Sequence, residues 1–253
     1  MRLRLRLDGI FHRPPRDRPV STNVEGELFQ LLGDSPEVRR AWSESHVIGL
    51  EQRISARLRG TLRFSRAPAP VAEPSGPWLE MLRLIYTVVR VRRPERVIET
   101  GVGPVGSSSA FILEAMRANG RGHLWSLDAG RYTALYGIEP GLGIPEELRS
   151  RHSLIIGESR KCLPQLLERC GPVEMFLHDS DHSHSNMRFE FDSVWPRLPP
   201  GGILLCDDAN NDSLDRFSRS VNLEPAFLLY GSTPFGVLQK PATAGSLTVP
   251  LGS

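Results

Sequence analysis

Glycines at fixed spacings follow a short apolar segment in the middle of the chain. Gly101, Gly103 and Gly106 form the pattern GxGxxG between residues 96–99 and residues 107–118. The first range is short and apolar, which predicts a buried strand, and the second has the apolar periodicity of a helix. Glycines at such a turn let a ligand approach the backbone, and amides at the start of a helix can donate hydrogen bonds to it. The glycine loop is therefore a candidate binding site.

Two acidic residues bear on which ligand this loop would hold. Asp128 ends a second predicted strand 22 positions after Gly106, a spacing that fits NAD, and its carboxylate could accept both hydroxyls of a ribose. Glu99 precedes Gly101 by two positions. A carboxylate there would repel a pyrophosphate, but it would attract the sulfonium and ammonium groups of S-adenosylmethionine (SAM). We therefore expect SAM, and the alternatives are NAD and a glycine turn that binds nothing.

Two serines are further candidates for the cofactor site. Ser108 lies at the start of the helix after the glycine loop, and Ser159 follows a third predicted strand, residues 153–156. The adenine would lie beside Ser159 in such a fold, although this serine could equally be the N-cap of the next helix. The predicted cofactor contacts are Glu99, Gly101, Gly103, Ser108, Asp128, Ser159 and Asp179.

Carboxylates follow two further predicted strands. Asp179 comes after residues 173–177, and Asp207 and Asp208 come after residues 202–206. Because the carboxyl ends of parallel strands share the ligand-binding edge of a sheet, these three side chains could converge. They would repel one another without a cation, and a hard ion such as Mg²⁺ would relieve this repulsion and acidify a substrate hydroxyl. We predict all three as metal ligands, and Asp179 as catalytic for the same reason.

A histidine-rich run, HDSDHSH, surrounds Asp179 at residues 178–184. His182 is placed to act as a catalytic general base, since histidine titrates in the useful pH range. Two alternatives remain open. The histidines and aspartates of the run could bind iron or zinc, and Asp208 could contact SAM or substrate with no metal present.

The other members of this run have simpler interpretations. Asp181 could cap the following helix, and His178 could be a core histidine that is hydrogen-bonded to the backbone. His184 is expected to face outward, because seven successive residues cannot all point into one site.

Alternating helices and strands join these motifs from residue 78 onward. Predicted helices cover residues 78–91, 107–118, 159–169, 186–198 and 212–221, and predicted strands cover residues 96–99, 123–127, 153–156, 173–177 and 202–206. This alternation predicts an α/β, Rossmann-like doubly wound sheet with helices on both faces. Residues 226–229 and 235–238 are separated by a turn too short for a crossover helix, so we expect these last strands to be antiparallel.

The N-terminal third has a different pattern. Residues 1–22 are predicted to be an arm, residues 22–59 have helical periodicity, and the proline-rich residues 67–77 indicate a linker. We therefore divide the chain into an N-terminal arm and helical cap, residues 1–75, and a cofactor-binding domain, residues 76–253.

Composition limits the classes of function. The chain has 253 residues, of which 40% are hydrophobic and 24% are charged, as in an ordinary globular protein. The net charge of +2 gives no support to nucleic acid or an anionic membrane as a partner. No apolar stretch is long enough for a transmembrane helix or a signal peptide, so we expect a cytoplasmic protein. The three cysteines include no CxxC pair and are expected to be buried thiols.

Taken together, the motifs resemble those of SAM-dependent methyltransferases over residues 97–238. A bacterial class I group has a loop ETGV…GxSS, a run RxxLPxLL, a motif HDSxH and a PGG-strand-DD end, and these match residues 99–108, 160–167, 178–182 and 200–208. The resemblance implies a sheet of seven strands with a reversed terminal strand. It also implies that Glu99, Gly101 and Asp128 contact SAM.

The sequence is more distantly similar to the catechol and macrolide-sugar O-methyltransferases. In those enzymes the acids that match Asp179, Asp207 and Asp208 bind Mg²⁺, although the position of Asp208 is often Asn in the catechol group. We therefore expect methyl transfer from SAM to an oxygen of a small molecule, in which His182 takes the proton. An NAD-dependent oxidoreductase and a non-catalytic SAM-binding protein are the alternatives. Residues 1–75 would cover the substrate, and the arm could reach a second subunit in a homo-oligomer.

Overall fold

The computed structural model describes residues 21–62 and 74–242, and within these ranges the chain forms one seven-stranded sheet and nine α-helices. The strands are β1 (Arg96–Thr100), β2 (His123–Asp128), β3 (His152–Ile156), β4 (Met175–His178), β5 (Ile203–Cys206), β6 (Ala226–Tyr230) and β7 (Thr233–Gln239). The helices are α1 (Val24–Leu32), α2 (Pro36–Val47), α3 (Leu50–Leu62), α4 (Gly76–Arg92), α5 (Ser107–Asn119), α6 (Arg131–Tyr136), α7 (Ser159–Cys170), α8 (His184–Val194) and α9 (Ser213–Ser220). Two 3₁₀ helices lie at Glu146–Arg151 and Trp195–Arg197.

The strand order is β3-β2-β1-β4-β5-β7-β6, and β1 to β5 run parallel. Strand β7 runs antiparallel to both β5 and β6. Gly231 and Ser232 alone separate β6 from β7, and two residues are enough for a hairpin but not for a crossover helix. The predicted doubly wound α/β fold with an antiparallel final strand is thereby confirmed.

Helices cover both faces of the sheet because its central strands are apolar on both sides. Val97 and Met175 face the layer that contains α4 and α5, whereas Ile98 and Phe176 face the layer formed by α7, α8 and α9. This alternation follows from the two-residue period of a strand. The carboxyl ends of β1, β2, β4 and β5 consequently meet at one edge of the sheet, where the loops with the candidate site residues begin.

Helices α1, α2 and α3 occupy the stretch, residues 22–59, whose pattern predicted helical structure. Two N-caps divide this stretch. Asn23 Oδ1 accepts a hydrogen bond from the amide of Gly26 at the start of α1, and Ser35 Oγ accepts one from Val38 at the start of α2. Pro36 follows Ser35 in the first turn of α2, where its missing N–H costs no helical hydrogen bond.

These three helices share a hydrophobic core with the sheet. Leu28 of α1, Trp42 of α2 and Ile54 of α3 belong to the same buried cluster as Tyr86 of α4 and Phe111 of α5. Apolar burial of this kind is the main favourable contribution to folding. The boundary at residue 75 between a cap and a cofactor-binding domain stays a prediction.

The largest difference from the predicted elements lies between β2 and β3. Helix α6 and the 3₁₀ helix at Glu146–Arg151 occupy a stretch in which no element was predicted, because its glycines and prolines indicate loops. Helix α4 begins at Gly76, inside the predicted linker, since Pro77 suits a first helical turn. The predicted arm lies outside the described residues except at its end, where Ser21 pairs with Leu228 of β6.

Two expectations from composition can be compared with the described ranges. None of the helices in residues 21–62 and 74–242 combines the length and the apolar character needed to cross a membrane. The three cysteines are free thiols. Cys206 is buried as predicted, whereas Cys162 and Cys170 are half-buried.

Candidate active site

The loops after β1 and β4 lie against each other at the carboxyl edge of the sheet. The amide of Asp179 donates a hydrogen bond of 2.8 Å to the carbonyl of Thr100. A Cβ atom on Gly101 would lie 1.8 Å from the carbonyl oxygen of Asp179, and Gly101 has a φ of +84°. Both features require glycine, because side chains cannot fit this contact and rarely adopt this conformation. The glycine loop is therefore fixed directly against Asp179.

Asp128, at the end of β2, holds the other side of the glycine loop. Its Oδ2 atom accepts hydrogen bonds of 3.0 Å from the amides of Val102 and Gly103, and its Oδ1 atom accepts one of 2.7 Å from Gly130. A carboxylate has about four lone-pair sites, so a ribose hydroxyl could still bind to it. The strand-end acid thus has a structural contact with the loop in addition to its predicted contact with a cofactor.

Glu99 is fully buried beneath the first turn of α5. Its carboxylate accepts hydrogen bonds from the hydroxyls of Ser108 and Ser109, and from Ser126 of β2 at 2.8 Å. Burial raises the pKa of Glu99, and the three hydroxyl donors act in the opposite direction. Glu99 therefore fastens α5 to the sheet.

Two cavities open beside the glycine loop. The strand-end cavity, of about 370 Å³, lies between the ends of β1, β2 and β4 and the start of α7. The α4 cavity, of about 340 Å³, lies between α4 and the glycine loop. Gly103 and Asp179 line both cavities. Ligands in the two cavities would therefore meet beside Asp179.

The lining of the strand-end cavity is polar and carries both signs of charge. Asp128, Glu158, Asp179 and Asp181 provide acidic groups, and Arg131 and Arg160 provide basic groups. The amide and hydroxyl groups of Asn186, Ser159 and Ser180 add neutral donors and acceptors. This cavity is suited to a polar ligand with several hydrogen-bonding groups.

The α4 cavity is mainly apolar, with acids at one end. Its apolar side chains are Trp78, Met81, Leu82, Ile85, Val102, Pro104, Val105, Leu177 and Phe235. Asp179 and Asp207 are its acidic residues, and none of the described residues that line it is basic. An anionic ligand would be repelled at the acidic end, so the lining favours an uncharged or cationic molecule.

The carboxyl groups of Asp179 and Asp207 are neighbours, and each affects the pKa of the other. Burial raises the pKa of both groups, and that of Asp179 rises well above its usual range because Asp207 adds a neighbouring negative charge. Tyr230 of β6 donates a hydrogen bond of 2.7 Å to Asp207 Oδ1. This bond favours the charged form of Asp207.

Asp208 is close to this pair without lining either cavity. Its negative charge contributes to the raised pKa of Asp179 and of Asp207. In the described parts of the chain, no group of three or more His, Cys, Asp or Glu side chains is arranged to hold a metal ion. The three predicted metal ligands are thus close enough to affect one another's pKa, but their side chains are not arranged as a metal site.

Glu190 of α8 is a buried carboxylate that holds two strand ends together. Its Oε2 atom is 2.7 Å from both Thr100 Oγ1 and His178 Nδ1, and its Oε1 atom accepts hydrogen bonds from Ser180 Oγ at 2.8 Å and from Asn186 Nδ2 at 2.9 Å. Burial alone would raise the pKa of Glu190, but its hydrogen bonds lower this pKa to about 2. The hydrogen bond with His178 has the largest lowering effect. Glu190 therefore fixes the end of β1 to the end of β4.

His182 lies against His178 and lines neither cavity. The two ring centroids are 5.0 Å apart, with an angle of 79° between the ring planes. Burial and the neighbouring His178 lower the pKa of His182. The ring therefore packs against His178 just before α8 begins, and the role of His182 as a general base stays a prediction.

The site lies within a recognisable domain. Residues 98–209 match a family profile described as methyltransferase domain. The chain is 27% identical over 77 residues to demethylmacrocin O-methyltransferase of Streptomyces fradiae, a match that covers 28% of this chain and 20% of that protein. The chain carries a class I, SAM-dependent methyltransferase domain. The glycine loop, Asp128 and the acids after β4 and β5 all fall within the matched range of this methyltransferase domain.

Solved structures of similar fold include two O-methyltransferases. One is the enzyme from Bacillus cereus in complex with SAH, with 15% identity, a TM-score of 0.52 and coverage of 86% of this chain and 96% of that chain. The other is the O-methyltransferase NovP, with 15% identity, a TM-score of 0.54 and coverage of 76% of this chain and 98% of that chain. These similarities support the Rossmann-like fold of the methyltransferase domain.

Most of the predicted cofactor residues of the methyltransferase domain lie on a cavity wall. Gly101, Gly103, Asp128, Ser159 and Asp179 line the strand-end cavity, and Ser108 lines the α4 cavity. Ser159 is the first residue of α7 and not its N-cap, which is Glu158. Glu99 lines neither cavity, so its direct contact with SAM stays a prediction.

The remaining members of the histidine-rich run have structural contacts. His178 is bonded to the side chain of Glu190 and not to the backbone. Asp181 Oδ1 accepts a hydrogen bond from the amide of Ser183, and Ser183 is itself the N-cap of α8. His184 is exposed, as predicted, and lies 2.9 Å from Asp212.

Sequence reasoning missed two residues that shape the methyltransferase site, Glu190 and Tyr230. Glu190 had a detectable signal, because it lies on the apolar face of α8 with Met187, Phe191 and Val194, where a charged residue needs partners. Tyr230 had no such signal, since its contact with Asp207 depends on how the final hairpin packs.

Proposed function

We propose that this methyltransferase domain transfers the methyl group of SAM to a hydroxyl oxygen of a small, uncharged molecule. The observation that carries the proposal is that the two cavities share a wall. Gly103 and Asp179 form this wall. A cofactor in the strand-end cavity can present its methyl group to a methyl acceptor in the α4 cavity. Holding the two reactants in this way is a major source of rate acceleration.

The strand-end cavity has the groups that SAM requires. Asp128 could accept hydrogen bonds from the ribose hydroxyls, and Ser159 and Asn186 offer polar contacts to the adenine. Asp179 would stabilise the positive charges of the sulfonium and ammonium groups, because it lines both cavities. The structure from Bacillus cereus, which has a similar fold, was solved with SAH, and this supports SAM as the cofactor.

The α4 cavity would hold the methyl acceptor. Trp78, Met81 and Ile85 present apolar surface, and the acids lie at one end. A small molecule with an apolar body and one hydroxyl group fits this polarity. A phosphorylated or carboxylated molecule does not, because its charge would face Asp179 and Asp207.

Asp179 and Asp207 are also the groups that could accept the proton of the hydroxyl. They are the ionisable residues in the described lining of the α4 cavity, and their raised pKa makes each carboxylate a stronger base than usual. The oxygen forms a bond to the methyl carbon as the bond from sulfur to that carbon breaks, so SAH is released. The hydroxyl proton passes to the carboxylate.

The same carboxylates have the donor chemistry of a magnesium site, since Mg²⁺ prefers oxygen ligands. Asp179, Asp207 and Asp208 are the residues that would hold the ion. A bound cation would neutralise their mutual repulsion and lower the pKa of the hydroxyl. Calorimetric titration with Mg²⁺ alone, for the wild-type chain and for Asp208→Asn, tests this part of the proposal.

The decisive experiment has a binding stage and a turnover stage. SAM, SAH and NAD are titrated by calorimetry, each with and without Mg²⁺, and we expect binding of SAM and SAH alone. Neutral alcohols and phenols, together with carboxylated analogues of the same ring systems, are then incubated with SAM that carries a labelled methyl group. Labelled ether products from the neutral series support the proposal, whereas labelled amines or products only from the anionic series contradict it.

A further inference from the structure

A segment between α6 and the 3₁₀ helix at Glu146–Arg151 lies alongside the glycine loop. The amides of residues 141–143 donate hydrogen bonds, in order, to the carbonyls of residues 103–105, and each of the three bonds is 2.9 Å long. We call this segment, Gly141, Leu142 and Gly143, the clamp. Because it engages three successive carbonyls of the glycine loop, the clamp fixes the direction in which that part of the loop faces the two cavities.

The contact between the clamp and the glycine loop is too close for either part to move alone. A Cβ atom on Gly143 would lie 2.7 Å from the carbonyl oxygen of Val105 and 2.9 Å from Ile54 of α3. A Cβ atom on Gly106 would lie 2.7 Å from the Cα atom of Gly141. These distances are shorter than real Cβ contacts, so glycine is needed on both sides of the interface.

Arginine side chains hold the outer side of the clamp. Arg57 of α3 donates from Nε to the carbonyl of Leu142 at 3.0 Å and from Nη2 to Glu146 Oε2 at 3.1 Å. Arg149 donates from Nη2 to the carbonyl of Gly141 at 2.8 Å. Hydrogen bonds from a charged guanidinium are stronger than those between neutral groups. The clamp is thus held between the glycine loop and the N-terminal helix α3.

We propose that Arg57 is a positioning residue for the cofactor, which acts through the clamp to hold the glycine loop in the form that binds SAM. The inference rests on the proposed function, since it takes SAM as the ligand of this loop. Arg57 itself lines neither cavity. Its effect passes from α3 to Leu142 and from there to residues 103–105. The N-terminal helices consequently contribute to the affinity for SAM as well as to the core.

Calorimetric titration with SAH of the wild-type chain, Arg57→Ala, Arg57→Lys and Arg53→Ala tests this proposal. Arg53 is a matched control, because it lies one turn earlier on α3 and bonds to the side chains of Glu114 and Glu147 but not to the clamp. We expect Arg57→Ala to weaken SAH binding by about tenfold or more, as the loss of a charge-assisted hydrogen bond implies. Arg57→Lys should fall between it and the wild type, and Arg53→Ala should stay within about twofold.

A second pair of variants keeps the test valid if Arg57→Ala does not fold. Gly143→Ala pushes the clamp away from Val105, whereas Gly60→Ala, in α3, meets no atom within 4 Å. Neither glycine has a positive φ, so the two changes differ mainly in the clash. We expect weaker SAH binding and faster hydrogen exchange at the amides of residues 141–143 in Gly143→Ala alone.

The possible outcomes separate this inference from the proposed function. If the wild-type chain binds SAH and folded Arg57→Ala and Gly143→Ala bind it equally well, the role of Arg57 is wrong and the proposed function stands. If the wild-type chain binds no SAH, the proposed cofactor is wrong and the inference fails with it. A loss of affinity in Arg53→Ala as large as that in Arg57→Ala would show a general effect of α3 and would also overturn the role of Arg57.

Discussion

Tyr230 donates a hydrogen bond of 2.7 Å to Asp207 across the strand that separates them, because β7 lies between β6 and β5. The antiparallel hairpin thus reaches the acidic end of the α4 cavity. A hydroxyl donor at this point orients the carboxylate of Asp207 and favours its charged form. The final hairpin is therefore part of the catalytic arrangement that we propose.

Asp207→Asn should lower methyl transfer by about a hundredfold or more, which is the size of a typical acid–base contribution. The amide can neither accept the hydroxyl proton nor supply the charge that a cation needs. SAH affinity should change little, because Asp207 lines the α4 cavity and not the strand-end cavity. Initial rates and calorimetry measure the two effects. Asp192→Asn, an exposed residue paired with Arg188, is the control, and a variant rate within tenfold of the wild type would contradict the assignment.

Glu190→Gln should destabilise the fold at neutral pH, because the amide cannot accept the four hydrogen bonds that the carboxylate accepts. A pKa lowered from 4.5 to about 2 corresponds to roughly 3 kcal/mol of stability in the charged form. Since the folded pKa is depressed, this stability is present above about pH 4.5 and is lost as the pH falls towards 2. Urea unfolding at several pH values measures the free energy of unfolding.

The same series contains its own control. Glu168→Gln changes an exposed carboxylate of α7, so its stability should follow the wild-type pH profile. Glu190→Gln should instead show a smaller decline between about pH 5 and 2, because the group that titrates has been removed. Parallel profiles for Glu190→Gln and the wild type would mean that Glu190 does not hold the strand ends in its charged form.

Gly101→Ala should abolish SAH binding or prevent folding, because its Cβ atom would overlap the carbonyl of Asp179. Gly120→Ala is a close control, since Gly120 also has a positive φ, of +68°, in the left-handed helical region, but its Cβ atom would meet nothing within 4 Å. The control variant should lower the free energy of unfolding by about 1–2 kcal/mol, because of backbone strain alone. Thermal unfolding and SAH titration compare the two variants, and similar behaviour in both would refute the role of the close contact.

His182→Ala should keep methyl transfer within about tenfold of the wild type, less than the loss that removal of a general base causes. The reason is its position, since the ring packs against His178 and lines neither cavity. Rates at saturating SAM, measured across the neutral pH range, test this expectation. A hundredfold loss together with a change in the pH profile would instead support the prediction from the sequence that His182 takes the proton.

Local patterns were sufficient to predict much of the fold. The alternating elements and the short turn between β6 and β7 determined the doubly wound sheet and its antiparallel end, because both depend on spacing along the chain. The positions of Asp128, Asp179 and Asp207 followed from the rule that parallel strands end at the same edge. These predictions required no knowledge of side-chain packing.

The missed features depend on contacts between distant parts of the chain. The stretch around Gly141 had the composition of a loop, and nothing local indicated that it would bind the glycine loop. The contact between Glu99 and SAM stays a prediction, but the hydrogen bonds of Glu99 with serines of α5 and β2 were not anticipated. The packing of His182 against His178 was not anticipated either. In each case the direction of a side chain depended on a neighbouring element that the sequence pattern does not specify.

Helix α4 supplies Trp78, Met81, Leu82 and Ile85 to the α4 cavity, and none of its residues is in the described lining of the strand-end cavity. In the proposed function, substitutions on this one helical face would therefore change which molecule is methylated while the contacts with SAM remain the same. Divergence among relatives, and directed evolution in the laboratory, could explore new substrates through α4 without first having to rebuild the machinery that supplies the methyl group.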